Sequence, residues 1–248
     1  MRRPTLGGWI FATAMRLALA CLLALASAAA PLAQRAAPEA ADVLTEWREG
    51  WDRAARGTRA VAFRETLVRE VDGPRGGAEL RTEGALRYAW GEVPRRTVDR
   101  ATLDGRSAPP PLRRRFERRT RRAYGPAADA LRRPAPMPGP FLRGARPAGP
   151  AVGDRVDGRE AWRVPLALPR GGGRVTAWFG REGGAPLLRL RVQRSAEHTL
   201  TADYRRVDGL DLPTTLLTEV TLRQRRRLRT YTVELRARGT YAAPEIVR

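Results

Sequence analysis

The chain of 248 residues has no lysine and no asparagine, and holds one histidine, His198, and one cysteine, Cys21. Each scarcity excludes something. A lone cysteine forms no intramolecular disulfide, and Cys21 lies within an N-terminal export signal, so a processed chain would carry no cysteine chemistry. One histidine without a mature cysteine argues against a structural zinc site, which takes four nitrogen or sulfur ligands. A nucleophilic hydrolase needs a nucleophile beside a base. Ser195 is near His198 in sequence, but it stands on or beside a turn, and the pair reads as a polar strand end. Asp203, Asp208 and Asp211 fail the EF-hand spacing, and two of them suit turns. No phosphate-cradling loop is present, and Gly171-Gly172-Gly173 lacks the strand-to-helix setting of a dinucleotide site. These absences point to a protein that is not an enzyme and takes no cofactor or metal. Arginine, alanine, glycine and proline abound instead, which marks a GC-rich coding bias and discounts arginine richness taken alone.

What is present begins with Arg2, Arg3 and Arg16, an apolar run from Leu17 to Ala26, and the small residues Ala26-Ser27-Ala28. A basic start, a short apolar core and small residues read as a secretory signal peptide over residues 1–30, cleaved after Ala28, or after Ala30 or Ala33. Arg16 splits the apolar stretch, so Met15 is an alternative start. An uncleaved anchor and a lipoprotein signal at Cys21 are competing readings; the second is opposed by Ala18-Leu19-Ala20, a poor approach to a lipidated cysteine, and by the apolar chain beyond it. The expected location is the periplasm. The formal net charge is +21, and the signal takes only three arginines with it, so the processed chain still favours anionic surfaces.

Further on, apolar residues alternate with polar ones. Trp162, Val164, Leu166 and Leu168 are spaced two apart, as are Leu188, Leu190 and Val192, then Leu200, Ala202 and Tyr204, then Tyr231, Val233 and Leu235. Successive side chains of a strand point to opposite faces, so each set lines one face. Arg163, Arg189, Arg191, Thr201, Asp203, Thr232 and Glu234 fall on the other, which suits water and therefore an antiparallel sheet. Asp72-Gly73, Asp104-Gly105, Asp157-Gly158 and Asp208-Gly209 suit tight hairpins.

Residues 31–38 form an Ala/Pro-rich leader expected to be flexible. From Glu39 to Arg56 the spacing becomes helical, with Val43, Leu44, Trp47, Trp51 and Ala55 on one side, and Gly57 ends the helix. A hairpin follows, one strand through Val61, Phe63 and Leu67 and the next through Leu80, Leu86, Tyr88 and Trp90, with a third strand near Thr97 to Leu103. The sheet pattern then lapses over about 106–152. Leu112, Phe116, Thr120 and Tyr124 mark a short helix whose remaining surface holds Arg113, Arg114, Arg115, Arg118, Arg119, Arg121 and Arg122. Those seven arginines read as a solvated face, as a contact for an anionic membrane surface or an acidic envelope protein, or, last of the three, as a contact for nucleic acid, which is not an expected partner because an exported chain seldom meets it. Met137, Phe141 and Leu142 lie in a Pro/Gly-rich covering loop.

The order of these elements, with the segments Val156 to Val164, Val175 to Phe179, Pro186 to Arg189 and Asp203-Tyr204-Arg205-Arg206-Val207-Asp208-Gly209-Leu210-Asp211-Leu212-Pro213, resembles the LolA-like superfamily of periplasmic lipoprotein and lipid carriers. The resemblance implies an α+β fold, a strongly curved antiparallel sheet forming an open half-barrel, covered by the N-terminal helix and a helical or loop lid. It makes 39–248 a single domain with a basic insertion at about 106–152. It also implies that acyl chains of a lipid or acylated lipoprotein lie between sheet and lid. The apolar-face candidates are Trp47, Trp51, Phe63, Leu80, Leu86, Tyr88, Trp90, Trp162, Val164, Leu166, Leu188, Leu190, Leu200, Tyr204, Tyr231 and Val233. The alternative is an interior packed solid, in an envelope interaction or sensor module that docks through its arginines. The arginine-dense middle departs from the apolar lid common among the carriers.

Overall fold

The computed structural model describes residues 38–248 other than 75, 170, 172, 227 and 228; the expected signal peptide and nearly all of the leader lie outside them. Helix α1 spans Ala40–Ala55 and buries Val43, Leu44, Trp47 and Trp51. These recur every three or four residues and so share one face, and Gly57 at φ +80° lets the chain leave the helix.

The strands are β1 (Ala60–Asp72), β2 (Ala78–Ala89), β3 (Arg95–Arg96), β4 (Arg100–Leu103), β5 (Arg106–Ser107), β6 (Arg146–Pro147), β7 (Val152–Val156), β8 (Arg159–Ala167), β9 (Arg174–Gly180), β10 (Leu187–Ser195), β11 (His198–Val207), β12 (Leu210–Arg226) and β13 (Arg229–Val247). They form one 13-stranded sheet in the order β5-β4-β2-β1-β13-β12-β11-β10-β9-β8-β6, with β3 beside β2 and β7 sharing the outer side of β8. Every pairing is antiparallel. Strand β1 of the first hairpin pairs with β13, so the first and last long strands lie side by side inside the sheet.

Three of the Asp-Gly pairs behave as their chemistry dictates. Asp104-Gly105, Asp157-Gly158 and Asp208-Gly209 all have positive φ at both residues, the requirement of the two-residue hairpin turn whose twist matches the flanking strands. Asp72-Gly73 instead opens a longer connection between β1 and β2. The expected third strand is broken: β3 and β4 are separate, and between them the carbonyl of Thr97 lies where a Cβ on Gly84 would stand. Trp90 falls one residue beyond β2 rather than within it.

Sheet pairing reaches into both ends of the expected insertion, leaving Ala108 to Ala145 outside the sheet. This stretch holds α2 (Pro110–Tyr124), α3 (Pro126–Ala130) and α4 (Pro138–Phe141). Pro110 opens α2 where no backbone donor is needed, and Gly125 at φ +53° closes it. Because β5 and β6 are at opposite edges of the sheet, the stretch between them runs from one edge to the other.

The core has three parts. The largest gathers α1, Phe63, Leu86 and Tyr88 with Val164, Phe179, Leu190, Leu212 and Tyr241. A second joins Leu67, Ala130, Leu131, Val220, Val233, Leu235 and Ala237, with Tyr124 against it. A small third, Val156, Ala161 and Leu188, lies beside Trp178. Along β1, Val61, Phe63, Glu65, Leu67 and Arg69 are all buried, so polar Glu65 stands between the residues of the first two clusters. Glu65 is paired with Arg96, and Arg69 with Glu117 at 3.0 Å; Glu117 also holds Arg132 at 2.5 Å. Pairing offsets part of the cost of removing these charges from water, though at Arg69 burial still outweighs its partners and lowers the guanidinium's proton affinity.

Candidate functional site

The two-residue spacing of apolar residues along the strands predicts one shared face; most of the candidates obey it. Trp47, Trp51, Phe63, Leu86, Tyr88, Val164, Leu166, Leu190 and Tyr204 are buried in the main cluster, with Trp90, Trp162 and Leu200 partly buried against it. Leu80 is fully buried on β2, in step with Leu86 and Tyr88. Leu80 belongs to none of the three clusters, and three more candidates also stand apart from the main one. Leu188 belongs to the small third cluster, because a bulge in the pairing of β9 with β10 between Leu187 and Arg189 breaks the alternation and seats Leu187 in the main core instead. Val233 belongs to the second cluster, beyond the polar pair of Glu65. Tyr231 is half-buried near the tip of the β12–β13 hairpin and joins none of the three clusters.

Two of the expected face residues act through their hydroxyls. Tyr88 donates to the carbonyl of Ala135 at 2.6 Å and Tyr204 to that of Pro136 at 2.8 Å, while the backbone N–H of Ala135 donates to the hydroxyl of Tyr241 at 3.0 Å. Strands β2, β11 and β13 thus hold one loop of the crossing stretch. The arrangement answers the need of buried backbone groups for partners. Burial pushes all three phenols up from their ordinary ionisation range, Tyr88 and Tyr204 strongly.

Asp211 is another residue whose role was not legible. It stands in the segment that carried the superfamily resemblance, two residues after Gly209. Its side chain is 0 % exposed and accepts from Trp47 Nε1 at 2.7 Å, from the backbone of Leu187 at 3.1 Å, and from Arg206 Nε at 2.9 Å. A Cβ on Gly209 would come within 2.9 Å of the Cβ of Ala54. The turn and its aspartate therefore receive α1. A polar residue one position from an apolar strand run was the available signal.

Between the sheet and the crossing stretch lies a cavity of about 520 Å³. Tyr88, Ala89 and Trp90 at the end of β2, Ala135 to Met137, Pro140 and Phe141 of the crossing stretch, and Val192 and Leu200 of β10 and β11 supply apolar wall; Glu92, Arg133 and Arg194 bring charge. An aromatic path runs nearby: Trp90 to Trp51 at 6.4 Å between ring centroids, Trp51 to Trp47 at 6.1 Å, and Trp47 to Phe179 at 5.8 Å. Gly139 lets α4 rest on Trp51, for a Cβ there would fall onto the indole.

Of the arginines on α2, Arg114, Arg115, Arg118, Arg119, Arg121 and Arg122 are exposed and Arg113 is half-buried. Arg121 lies 3.5 Å from Asp129. No residue of α2 is buried, so the expected apolar seam is shallow: Phe116, Thr120 and Tyr124 are half-buried and Leu112 is exposed. At the start of β11, His198 pairs with Ser195 across the β10–β11 turn, and Ser195 Oγ accepts from the N–H of Glu197 at 3.2 Å. Among the described residues no group of three or more histidine, cysteine, aspartate or glutamate side chains could hold a metal. No described helix is long and apolar enough to cross a membrane.

No family model matches the chain. No curated protein matches it either. Solved structures similar to it include an outer membrane lipoprotein-sorting protein domain from Vibrio parahaemolyticus, at 10% identity and a TM-score of 0.40, covering 83% of this chain and 91% of that one. Another is a DUF1329 family protein from Desulfovibrio piger, at 11% identity and a TM-score of 0.33, covering 81% of this chain and 93% of that one. A third is the Pseudomonas aeruginosa MucA/MucB complex, at 14% identity and a TM-score of 0.20, covering 84% and 99%. Likenesses at these TM-scores carry no weight for ligand, partner or chemistry, which rest on the geometry above.

Proposed function

We propose that the chain is an exported, non-enzymatic periplasmic carrier that holds the acyl portion of a lipid or lipoprotein between the apolar face of an open half-barrel and a lid made of α1 and the crossing stretch. The observation that carries this reading is the cavity of about 520 Å³, within the roughly 300–1,000 Å³ of small-molecule pockets and, like them, walled mainly by apolar side chains with few polar groups. Curvature of the sheet is supported by the aromatic path. Strands β2 and β9 are six steps apart in the sheet order, roughly 29 Å in a flat sheet. Three short ring contacts nevertheless lead from Trp90 to Phe179.

The deciding experiment is gentle purification of the mature chain, organic extraction and mass spectrometry, with a fluorescent fatty-acyl probe added to the stripped protein. Extractable lipid and saturable probe binding are expected. A clean extract together with no probe binding would sink the carrier reading.

A second reading, an envelope interaction or sensor module with a packed interior, is favoured by α2. Its arginines form an exposed basic face, and Arg121 is the only one of the seven in an ion pair among the described residues. In that case α2 docks on an anionic membrane surface or an acidic envelope protein, and the interior takes no ligand.

A further inference from the structure

The cavity is apolar along most of its wall, yet two cations stand on it. Arg133 comes from the crossing stretch and Arg194 from the end of β10. No ion pair among the described residues engages either of them, whereas Arg69, Arg96, Arg132 and Arg206 each have a carboxylate. They are also near one another: the charge of Arg133 works, after burial, to lower the proton affinity of Arg194, and both arginines do the same to His198. Positive charges held together without a counterion repel, and an anion between them relieves that repulsion. The one carboxylate on the wall, Glu92, is engaged with Arg95 at 3.0 Å.

A further donor lacks a partner at the same place. Trp90 lines the cavity, and its indole Nε1 is buried with no acceptor. An orphaned buried N–H is rare in folded proteins and calls for an explanation. Guanidinium groups suit carboxylate and phosphate oxygens, which they bind with paired, charge-assisted hydrogen bonds. The apolar wall beside them, from Tyr88, Met137, Phe141 and Val192, suits a hydrocarbon chain and offers a free inorganic anion nothing.

We propose that Arg133 and Arg194 form a headgroup site at the cavity, so that the cargo is an amphiphile with an anionic carboxylate or phosphate head and an acyl tail. This rests on the carrier reading and narrows its ligand class. Both arginines are exposed at the surface, so replacing them leaves the core untouched.

The test is displacement of a fluorescent acyl probe from the stripped mature chain by four amphiphiles and one ion. Palmitate is compared with the uncharged alcohol of the same length, lysophosphatidylglycerol with lysophosphatidylcholine, and inorganic phosphate is tried alone. The wild-type chain is expected to prefer each anionic member over its neutral counterpart about tenfold or more, equivalent to about 1.4 kcal/mol. A preference confined to palmitate or to lysophosphatidylglycerol would identify the head as carboxylate or phosphate. The Arg133→Gln/Arg194→Gln double variant should bind charged and uncharged members alike while keeping its affinity for the uncharged ones. Equal binding of each pair by the wild-type chain, or an undiminished preference in the variant, would overturn the headgroup site and leave the carrier reading standing. Inorganic phosphate that binds as tightly as lysophosphatidylglycerol would overturn the amphiphile. If none of the four amphiphiles displaces the probe, the carrier reading itself fails.

Discussion

At Asp211 four hydrogen bonds converge on a carboxylate fully removed from solvent, two of them from Arg206. Replacing it by alanine leaves the indole N–H of Trp47 and the Leu187 amide without an acceptor and the guanidinium of Arg206 without its partner. A loss of about 3 kcal/mol is expected, at the lower end for a broken buried pair because Arg206 is partly solvated. Urea denaturation of Asp211→Ala measures it, and an unchanged midpoint would show that α1 does not depend on this contact. Gly139→Ala puts a methyl group against the Trp51 indole. It should cost about 1–3 kcal/mol by overpacking and red-shift tryptophan emission as Trp51 is displaced; native-like emission and stability would refute the close packing.

The three buried tyrosines set an alkaline limit. Their folded-state proton affinity is raised above the unfolded value near 10. The native state therefore holds protons that the unfolded chain releases. Their stabilising contribution is complete below pH 10 and is lost as the pH climbs through and above that value, with a slope of about 1.4 kcal/mol per pH unit for each tyrosine. With no lysine in the chain, phenols dominate titration in this window. Denaturant midpoints measured from about pH 8 to pH 11 should be flat and then fall once the pH nears the unfolded phenol value of about 10, and Tyr88→Phe/Tyr204→Phe should flatten the fall. An unaltered fall in that variant would place the alkaline sensitivity elsewhere.

Among the elements, α2 contrasts with α1. Helix α1 buries two tryptophans and is held at Asp211, while α2 buries nothing and turns most of its arginines outward. Near an anionic bilayer each engaged arginine adds roughly 1 kcal/mol. Replacing Arg114, Arg115, Arg118 and Arg119 with glutamine should lower cosedimentation with phosphatidylglycerol vesicles at least tenfold and leave thermal stability unchanged. Equal sedimentation of variant and parent would show that the face is merely solvated. Both helices were legible because their signals are local: apolar residues three or four apart in one, and Leu112, Phe116, Thr120 and Tyr124 four apart in the other. The three Asp-Gly hairpins were legible for the same reason. The bulge at Leu187 was not, since nothing in an alternating run announces an extra residue, and it is why Leu188 faces away from Leu190.

For the whole molecule, what escaped the sequence is what joins distant parts. Trp47 and Asp211 are 164 residues apart, and Ala135 and Tyr241 are 106 apart; no spacing rule connects them. The antiparallel class of the sheet and its one covered face could be read from alternation. The division of that face by Glu65 and Arg96 could not, because Glu65 sits at a position whose neighbours are apolar and its partner comes from a two-residue strand. Most of the apolar-face residues consequently lie in the main cluster while Val233 falls in the second, with the cavity on the side of Tyr88 and Trp90.

The stretch from Ala108 to Ala145 leaves the sheet at one edge and rejoins it at the other. It is a strap buckled at both ends, and a strap does not swing aside like a door. On the carrier reading, anything as large as an acyl chain passes beneath it either by threading from the side or when the two margins of the sheet spread apart.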